Sequence, residues 1–387
     1  MKITSVETLG VGSQTPGNGR LTNRNFLFVR VHTDEGLVGL GEATLEGHDN
    51  AVRGMIADLE PLLLGEDPRR IEHLTQVMIR QKFWQGGVIK GSAVAGVELA
   101  LWDILGKSVD LPVHQLVGGA SRDRIRYYLN GWSGGAVEPA EIGDRAAEAF
   151  GRGERALKFS LALPSWPVRD RELLRTLERA LDAIRRAVGA EALVMFDGHG
   201  RYDADQAIAM AAVLADFECY FFEEPVQPTR VEDTARVARR AAVPIAAGER
   251  LARKGEFVDY FRADAISVAQ PDLAHCHGFG ESLKIAAIAD GFGGWIAPHG
   301  PMSPVLTAIS LHLDAVIPNF LIQERLRNST WCESLITEPL RPAEGYLPLP
   351  HGPGWGIELD EEVCRAHPPI QVDMPRLFRP DGSVADW

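Results

Sequence analysis

One short stretch of the sequence combines residue types that often do chemistry together. The apolar residues 194–196 lead into Asp197, His199 follows two positions later, and Arg201 follows two after that. Residues i and i+2 of a strand point to the same side, so Asp197 and His199 are predicted to face one side at the strand's carboxyl end. A carboxylate beside an imidazole is typical of metal-assisted acid–base chemistry. The same spacing is also common in a turn closed by a side-chain hydrogen bond, so the pattern alone leaves both interpretations open.

Two further carboxylates follow at equal intervals. Asp197, Glu223 and Glu249 are separated by 26 residues each, about one strand-and-helix unit, and each follows a short apolar run. Three converging carboxylates repel one another, and a divalent cation that prefers oxygen ligands, Mg²⁺ above all, would offset that repulsion. The alternative for any single carboxylate is an ion pair with a nearby arginine. The regular spacing selects Glu223 rather than its neighbour Glu224 as the inward-facing residue, and we expect Glu224 to form an ion pair.

A scaffold that brings these residues together is predicted by the pattern that begins near residue 121. Short apolar runs alternate with helical stretches, and there are eight of them, at residues 125–129, 156–161, 193–196, 220–223, 245–247, 265–268, 295–297 and 320–322. Eight such units predict an α/β protein with a closed (β/α)₈ barrel, whose active site lies at the carboxyl ends of the strands. An open Rossmann sheet is the alternative, and the number of runs and the lack of GxGxxG after the first run disfavour it.

The chain divides into three parts with different patterns. Residues 1–120 predict an α+β unit with a hairpin over residues 26–41, several helices and a loop over residues 10–25. Residues 121–325 carry the barrel pattern. Residues 326–387 lose it and are rich in proline and glycine before an extended tail. We expect this last part to return to the first and to complete a capping domain with it.

The composition of the chain limits which partners it is expected to bind and in which cellular compartment it is expected to lie. The net charge of −13 over 387 residues argues against nucleic acid, because phosphate binding needs clustered lysine and arginine. No apolar segment approaches the roughly 18 residues of a membrane span, and the first residues do not resemble a signal peptide. The four cysteines lack CxxC spacing and are expected to be reduced. These observations predict a cytoplasmic protein that binds neither nucleic acid nor membranes.

The remaining strand ends add polar residues to the expected site. The second run contributes Lys158 with Ser160 on the same face, and the sixth and seventh are followed by Asp272 and His299. The eighth ends at Glu324. A lone histidine in such a place is more often structural, but a hydrogen bond from Asp272 would raise the basicity of His299 and make the pair a candidate general base.

These motifs together resemble the enolase superfamily, its mandelate racemase subgroup and, within it, the acid-sugar dehydratases. The residues that carry the resemblance span most of the chain and are Lys158, Asp197-x-His199, Glu223-Glu224-Pro225, Gly248-Glu249-Arg250, Gln270-Pro271-Asp272, Pro298-His299 and Gln323-Glu324. The resemblance implies a modified (β/α)₈ barrel with a capping domain and one Mg²⁺ per subunit. It also implies a small sugar acid as substrate and a homo-oligomer, a dimer or an octamer.

The resemblance assigns a charge-stabilising role to five residues. Asp197, Glu223 and Glu249 would bind Mg²⁺, which would chelate the substrate carboxylate and stabilise an enediolate by charge neutralisation. Glu324 would hydrogen-bond the developing enediolate oxygen, and Lys158 would help to neutralise it.

The resemblance also separates a base from an acid. His299, oriented by Asp272, would take the proton from C2, and His199 would protonate the departing C3 hydroxyl, which gives a 2-keto-3-deoxy acid. Many relatives carry two lysines as KxK on the second strand, whereas Ser160 replaces the second lysine here, which favours elimination over racemisation. The alternatives are dehydration of a different aldonate such as gluconate, epimerisation or cycloisomerisation through the same enediolate, and a binding protein on this scaffold. His275 lies near enough to the expected site for its role to stay open, as does His277.

Overall fold

An antiparallel sheet opens the chain in the computed structural model, which describes residues 1–13, 24–81, 83–327, 330–372 and 376–386. The strands β1 (Ile3–Ser13), β2 (Arg24–Thr33) and β3 (Val38–Glu42) pair in this order. The predicted hairpin is therefore present as β2 and β3. The prediction of a loop over residues 10–25 was wrong at both ends, which lie in β1 and β2, and residues 14–23 of that loop lie outside the described part.

Four helices follow the sheet: α1 (Asp49–Leu59), α2 (Ile71–Arg80), α3 (Val88–Ser108) and α4 (Val113–Leu116). The helix α3 lies directly on β3, because Gly39 and Gly41 present no side chain to it. A Cβ at either glycine would lie 2.0 Å from a carbonyl oxygen of α3. Apolar side chains of β2, α1, α2 and α3 form a core between the sheet and the helices. No helix of the described ranges is long and apolar enough to cross a membrane.

The barrel consists of parallel strands that alternate with helices. The elements are β4 (Arg124–Asn130), α5 (Pro139–Gly151), β5 (Ala156–Phe159), α6 (Arg171–Val188), β6 (Leu193–Asp197), α7 (Ala204–Asp216), β7 (Phe222–Glu223), α8 (Val231–Ala238), β8 (Ile245–Ala247), α9 (Lys254–Arg262), β9 (Val268–Ala269), α10 (Phe279–Gly291), β10 (Trp295–Ile296), α11 (Pro304–Val316) and β11 (Gln323–Leu326). Strands β4 to β10 pair in sequence order, β11 pairs with β4, and Phe320 bridges Ile296 of β10. The sheet therefore closes on itself, which confirms the predicted barrel and excludes the open Rossmann sheet.

The chain after β11 departs from the strand–helix alternation. A 3₁₀ helix at Thr330–Leu335 follows, then β12 (Tyr346–Pro348), which pairs antiparallel with β4, and α12 (Glu361–Ala366). The C-terminal residues then reach the first sheet, where the amide of Gly12 donates to the carbonyl of His367 at 2.9 Å. A Cβ at Gly12 would lie 2.5 Å from the carbonyl oxygen of Pro368. The glycine that suggested a loop therefore makes room in a strand for another segment of backbone.

One interior layer of the barrel contains a side chain from each of its strands. The members are Tyr128, Ala156, Met195, Phe221, Ala246, Val268, Ala297 and Ile322. Side chains alternate along a strand, so the residues two positions further on also face the interior, one level closer to the carboxyl ends. These are Asn130, Lys158, Asp197, Glu223, Gly248, Gln270, His299 and Glu324. The second set forms a mostly polar ring in the barrel interior, and the apolar set beneath it forms the floor of the barrel.

Two buried carboxylates attach the capping elements to the barrel. Glu98 of α3 accepts hydrogen bonds from the amides of Phe279 and Gly280, both at 2.8 Å, at the first turn of α10. Glu42 of β3 accepts one from the amide of Leu306 at 3.0 Å, at the first turn of α11. Both satisfy helix N–H groups that have no partner within the helix. Burial raises the pKa of each carboxylate to about 7.

Candidate active site

Three carboxylates meet at the carboxyl ends of adjacent barrel strands. Asp197 ends β6, Glu223 ends β7, and the two are direct neighbours in the parallel pairing. Glu249 follows β8. One oxygen of each carboxylate lies within 4.8 Å of the other two, so the three could hold a metal ion together.

Glu249 reaches the cluster by a different route from its two companions. The interior position at the end of β8 belongs to Gly248, whose φ is +148°. A Cβ there would lie 2.9 Å from backbone atoms of Gln270, so glycine allows a close approach of two strands and a turn that side chains disfavour. The turn then directs Glu249, one residue later, toward the site. The equal spacing of the three carboxylates therefore does not reflect equal positions on their strands.

A buried lysine lies among the carboxylates. The Nζ atom of Lys158 is 2.7 and 2.6 Å from the two oxygens of Glu223, 3.1 Å from Asp197 and 3.0 Å from Glu324. Burial disfavours the ammonium form, but the three carboxylate charges outweigh it and raise the pKa of Lys158 well above its usual range. Lys158 is therefore a fixed positive charge beneath the cluster.

Negative charge still exceeds positive charge in the site. Five carboxylates contact either Lys158 or His299, namely Asp197, Glu223, Glu249, Asp272 and Glu324. Burial and the charges of its neighbours raise the pKa of Glu223 well above its usual range, as expected for crowded acids. A divalent cation would offset this excess, and an all-oxygen donor set suits a hard cation. The residues therefore fit a metal ion.

His299 lies just beyond β10, next to the cluster. Its Nδ1 atom is 2.6 Å from Asp272, and its Nε2 atom is 2.9 Å from Glu249 and 3.8 Å from Glu324. Burial disfavours the charged imidazole, but Glu249, Glu324 and the hydrogen bond to Asp272 raise the pKa of His299 well above its usual range. The predicted contact between Asp272 and His299 is thus present.

His199 meets Asp197 through a turn and not through strand register, which corrects the prediction. The strand ends at Asp197, and Gly198 lies so close to the next strand that a Cβ would be 2.6 Å from the carbonyl oxygen of Glu224. His199 has a φ of +49°, and its amide donates to Asp197 at 2.8 Å. Its Nε2 atom is 3.3 Å from Asp197. Arg201 reaches the other ring nitrogen, Nδ1, at 2.8 Å.

The environment of His199 disfavours its charged form. Burial lowers the pKa of His199 below its usual value, the charge of Asp197 opposes that change, and the guanidinium of Arg201 adds to it.

The ion pair expected for Glu224 is also present, with Arg250 at 2.5 Å.

A cavity of about 510 Å³ lies over the cluster and receives both imidazoles. Its walls come from the barrel loops and from the capping elements. Among its lining residues are Arg24, Glu46, Val88, Asn130, Ser133, Ser160, His275 and Arg327. The volume is that of a small-molecule site, and its mostly apolar wall includes several charged and polar side chains.

Three residues of the site were assigned no specific role from the sequence, although Arg201 and Gln270 belong to the motifs noted there. Asn130 donates to Glu324 at 2.8 Å, Gln270 donates to Glu223 at 2.7 Å, and Arg201 contacts His199. Asn130 ends β4, the first barrel strand, and its position at the carboxyl end of a strand is the signal by which the sequence indicates it. The spacing singled out Arg201 together with Asp197 and His199, but it did not predict that Arg201 contacts the ring of His199.

Together, the closed barrel and the carboxylate cluster between two imidazoles define an enzyme equipped for acid–base chemistry. Comparison with known proteins identifies the family of this enzyme. Residues 15–118 match the family model "Mandelate racemase / muconate lactonizing enzyme, N-terminal domain", and residues 141–363 match "Enolase C-terminal domain-like". The chain belongs to the enolase superfamily.

Curated relatives and solved structures agree with this membership. A D-galactonate dehydratase from Verminephrobacter eiseniae is 35% identical over 399 residues, which cover 100% of both chains. One from Ralstonia nicotianae is 36% identical over 94% of this chain and 96% of its own. The mandelate racemase/muconate lactonizing enzyme from Jannaschia sp. CCS1 has a TM-score of 0.88 and 32% identity, covering 96% of this chain and 98% of its own. The superfamily and the enzyme class predicted from the sequence, a hydro-lyase, are therefore confirmed.

Proposed function

We propose that this protein is a Mg²⁺-dependent dehydratase of a sugar acid, with D-galactonate as the first candidate substrate and a 2-keto-3-deoxy acid as product. One observation carries the proposal. Two imidazoles line the same cavity, and each contacts a different carboxylate of the cluster, His199 with Asp197 and His299 with Glu249. Elimination of water needs both a base at one carbon and an acid at the next, and this arrangement supplies both.

The proposed metal ligands are Asp197, Glu223 and Glu249. A bound Mg²⁺ would supply Lewis-acid neutralisation of the charge that develops on the substrate carboxylate. Lys158 adds a fixed positive charge on the side of the barrel floor. Glu324 is held there by Lys158 and by Asn130, in a position to face the substrate carboxylate.

The proposed base is His299. Asp272 accepts the hydrogen bond of Nδ1, which leaves Nε2 as the atom that receives the proton from C2. Its raised pKa strengthens it as a proton acceptor. Asp272 positions the ring and need not itself change protonation state.

The proposed acid is His199. Arg201 lies against Nδ1 at 2.8 Å, and we assign proton donation to the other ring nitrogen, Nε2. Its lowered pKa makes the protonated ring a stronger donor to the leaving C3 hydroxyl. Ser160 lines the cavity on the second strand, where a lysine would supply a base on the other face of C2 for racemisation. The site therefore favours elimination.

Turnover of a panel of aldonic and aldaric acids with Mg²⁺ tests the proposal. We expect a semicarbazide-reactive 2-keto product from D-galactonate or a related aldonate such as gluconate, and none after chelation of the metal. Conversion to a diastereomer without a 2-keto product would identify an epimerase and overturn the proposal. An isomeric ring product would identify a cycloisomerase. Binding without any conversion would identify a binding protein.

Two features of organisation accompany the proposal. We infer a division into residues 1–120, 121–325 and 326–387, in which the last part completes the capping domain, and limited proteolysis would test those boundaries. By analogy with the superfamily we also expect a homo-oligomer, a dimer or an octamer, which light scattering would measure.

A further inference from the structure

We propose that His275 selects the substrate by accepting a hydrogen bond from one of its hydroxyl groups at Nε2, the ring nitrogen that carries no proton. This role rests on the proposed function, in which a sugar acid occupies the cavity. It adds a requirement for that acid, a hydroxyl beyond C3 that meets the cavity wall between the base His299 and the capping helix α3.

Ser92 of α3 determines which nitrogen of His275 carries the ring proton. The Oγ atom of Ser92 lies 2.9 Å from the carbonyl oxygen of Val88 and 2.9 Å from Nδ1 of His275. A carbonyl oxygen can only accept, so the single hydroxyl proton goes to Val88, and Nδ1 of His275 donates to Oγ. A neutral imidazole has one N–H, and Nε2 is therefore an acceptor.

This acceptor is open to the cavity. His275 lines the cavity, and its side chain is 8% exposed. Among the described residues no group hydrogen-bonds to Nε2, and the atom is not fully enclosed by protein. The Oδ2 atom of Asp272 lies 3.6 Å away, but it already accepts from Nδ1 of His299 at 2.6 Å and offers no proton. The donor for Nε2 must therefore come from whatever occupies the cavity.

The backbone fixes the place of His275 before any substrate binds. The carboxylate of Asp272 accepts a hydrogen bond from the amide of Ala274 at 2.7 Å, and its carbonyl accepts one from the amide of His275 at 3.0 Å. A Cβ at Gly91 of α3 would lie 2.4 Å from the carbonyl oxygen of His275, so this turn rests directly on the helix. A preorganised acceptor loses little freedom on binding and can discriminate strongly between ligands.

The neighbours of His275 indicate which hydroxyl reaches it. His275 stands beside the base, because Asp272 contacts both rings, and Ser92 places it against the cap. In the proposed function the substrate carboxylate belongs to the metal site, and the C3 hydroxyl belongs to His199. C2 presents its hydrogen to His299, so its hydroxyl points away from that side. The hydroxyls that remain for His275 are those beyond C3.

Deoxy analogues of D-galactonate test for this hydroxyl. A ligand that fills the cavity without a donor leaves Nε2 unpaired, and a site built to hydrogen-bond a hydroxyl rejects analogues that lack it. We expect one of the 4-, 5- and 6-deoxy acids to have a kcat/KM about 10- to 100-fold below that of D-galactonate. If the panel identifies another aldonate as substrate, the same series is made from that acid.

Two substitutions show whether His275 is the partner of that hydroxyl. His275→Phe removes the acceptor and keeps a ring of similar size. It should lower kcat/KM for D-galactonate by about the same factor and leave that for the sensitive deoxy acid within about 3-fold, because the two changes remove one interaction. His275→Gln offers a side-chain carbonyl as acceptor and should keep part of the preference.

His277 on the same loop supplies the matched control. It is buried at a φ of +71°, a conformation that asparagine tolerates, and its charged neighbours are Glu281, Arg253 and Lys254. We expect His277→Asn to keep the preference among the four acids within about 2-fold. Equal losses on D-galactonate and on the deoxy acids in His275→Phe would mean a role in packing or in holding the base. That result, or a wild type insensitive to all three deoxy changes, overturns the inference.

NMR of protein labelled with ¹⁵N-histidine keeps this inference separate from the proposed function. At about pH 8, where a free imidazole is neutral, Nε2 of His275 should resonate as an unprotonated nitrogen, with His275→Phe identifying the signal. D-galactonate bound with Mg²⁺ to His199→Asn should shift it. A protonated Nε2, or no shift on binding, would contradict the inference even in an active enzyme. An unprotonated Nε2 in a protein that binds and converts no sugar acid would overturn only the proposed function.

Discussion

His199 and His299, two of the imidazoles that line the cavity, have the same chemistry and opposite surroundings. Three carboxylates surround His299 and raise its pKa, whereas burial and Arg201 lower the pKa of His199. A proton acceptor is stronger when its pKa is high, and a proton donor is stronger when its pKa is low. The contrast indicates that the neighbours of each ring, and not the ring itself, assign the two proposed roles.

Replacement of His299 should have the largest effect. His299→Asn removes the base, so both dehydration and exchange of the C2 proton with D₂O should fall by about 10³-fold or more. NMR detection of the C2 proton and the 2-keto assay measure the two reactions on the same sample. Exchange that persisted in this variant would place the base elsewhere and would contradict the role proposed for His299.

Replacement of His199 should separate the two reactions. His199→Asn should lower dehydration by about 10²- to 10³-fold and leave C2 exchange within about 3-fold of wild type, because only the leaving hydroxyl loses its proton donor. The same two assays apply. Parallel loss of both would show that His199 serves both steps, contrary to the division of roles.

Replacement of Arg201, which contacts His199, should have a smaller effect on dehydration than replacement of His199 itself. Arg201→Met keeps an unbranched chain but removes the guanidinium, and with it the contact with Nδ1 of His199 and the hydrogen bond to the carbonyl of Leu161 at 3.0 Å. We expect dehydration to fall by about 10-fold while exchange at C2 is retained, because the acid is less well oriented. A larger loss of exchange than of dehydration would contradict this assignment.

Replacement of Glu98, a carboxylate remote from both rings, should have the smallest effect on catalysis. Burial raises the pKa of Glu98 from 4.5 to about 7, so the folded protein binds a proton there more tightly than the unfolded chain does. Its contribution to stability is therefore present below about pH 4.5 and is lost as the pH rises toward 7. Between pH 5 and 7, wild type should lose about 2 kcal/mol of unfolding free energy more than Glu98→Gln does.

Urea unfolding at both pH values measures the difference. Turnover and C2 exchange of Glu98→Gln should stay within about 2-fold of wild type. Equal pH slopes for the two proteins would show that the carboxylate is ionised in the fold at both pH values.

The sequence predicted the parts of the fold that depend on local periodicity. The carboxylates Asp197 and Glu223 end their strands and face the barrel interior. Their direction follows from the alternation of side chains along each strand, which can be recognised in the sequence. The ion pair of Glu224 follows from the same rule, since its side chain must point away from Glu223. The closure of the barrel followed from the number of repeats.

The features that the sequence did not predict depend on contacts between distant segments. The strand β1 was missed because its glycines are explained only by the C-terminal residues that pack on them. The turn at Gly198 and the turn at Gly248 both depend on the backbone of the neighbouring strand. The attachment of Glu98 to α10 joins residues 181 positions apart, and no local pattern encodes it.

The apolar floor of the barrel has a consequence for isotope labelling. Eight interior side chains fill the space beneath the polar ring, so water reaches His299 from the cavity and not through that floor. A proton that His299 has taken from C2 can then return to carbon before it mixes with solvent. The fraction of label returned to unreacted substrate would therefore measure how fast the proton on His299 exchanges with water in the cavity relative to its return to carbon.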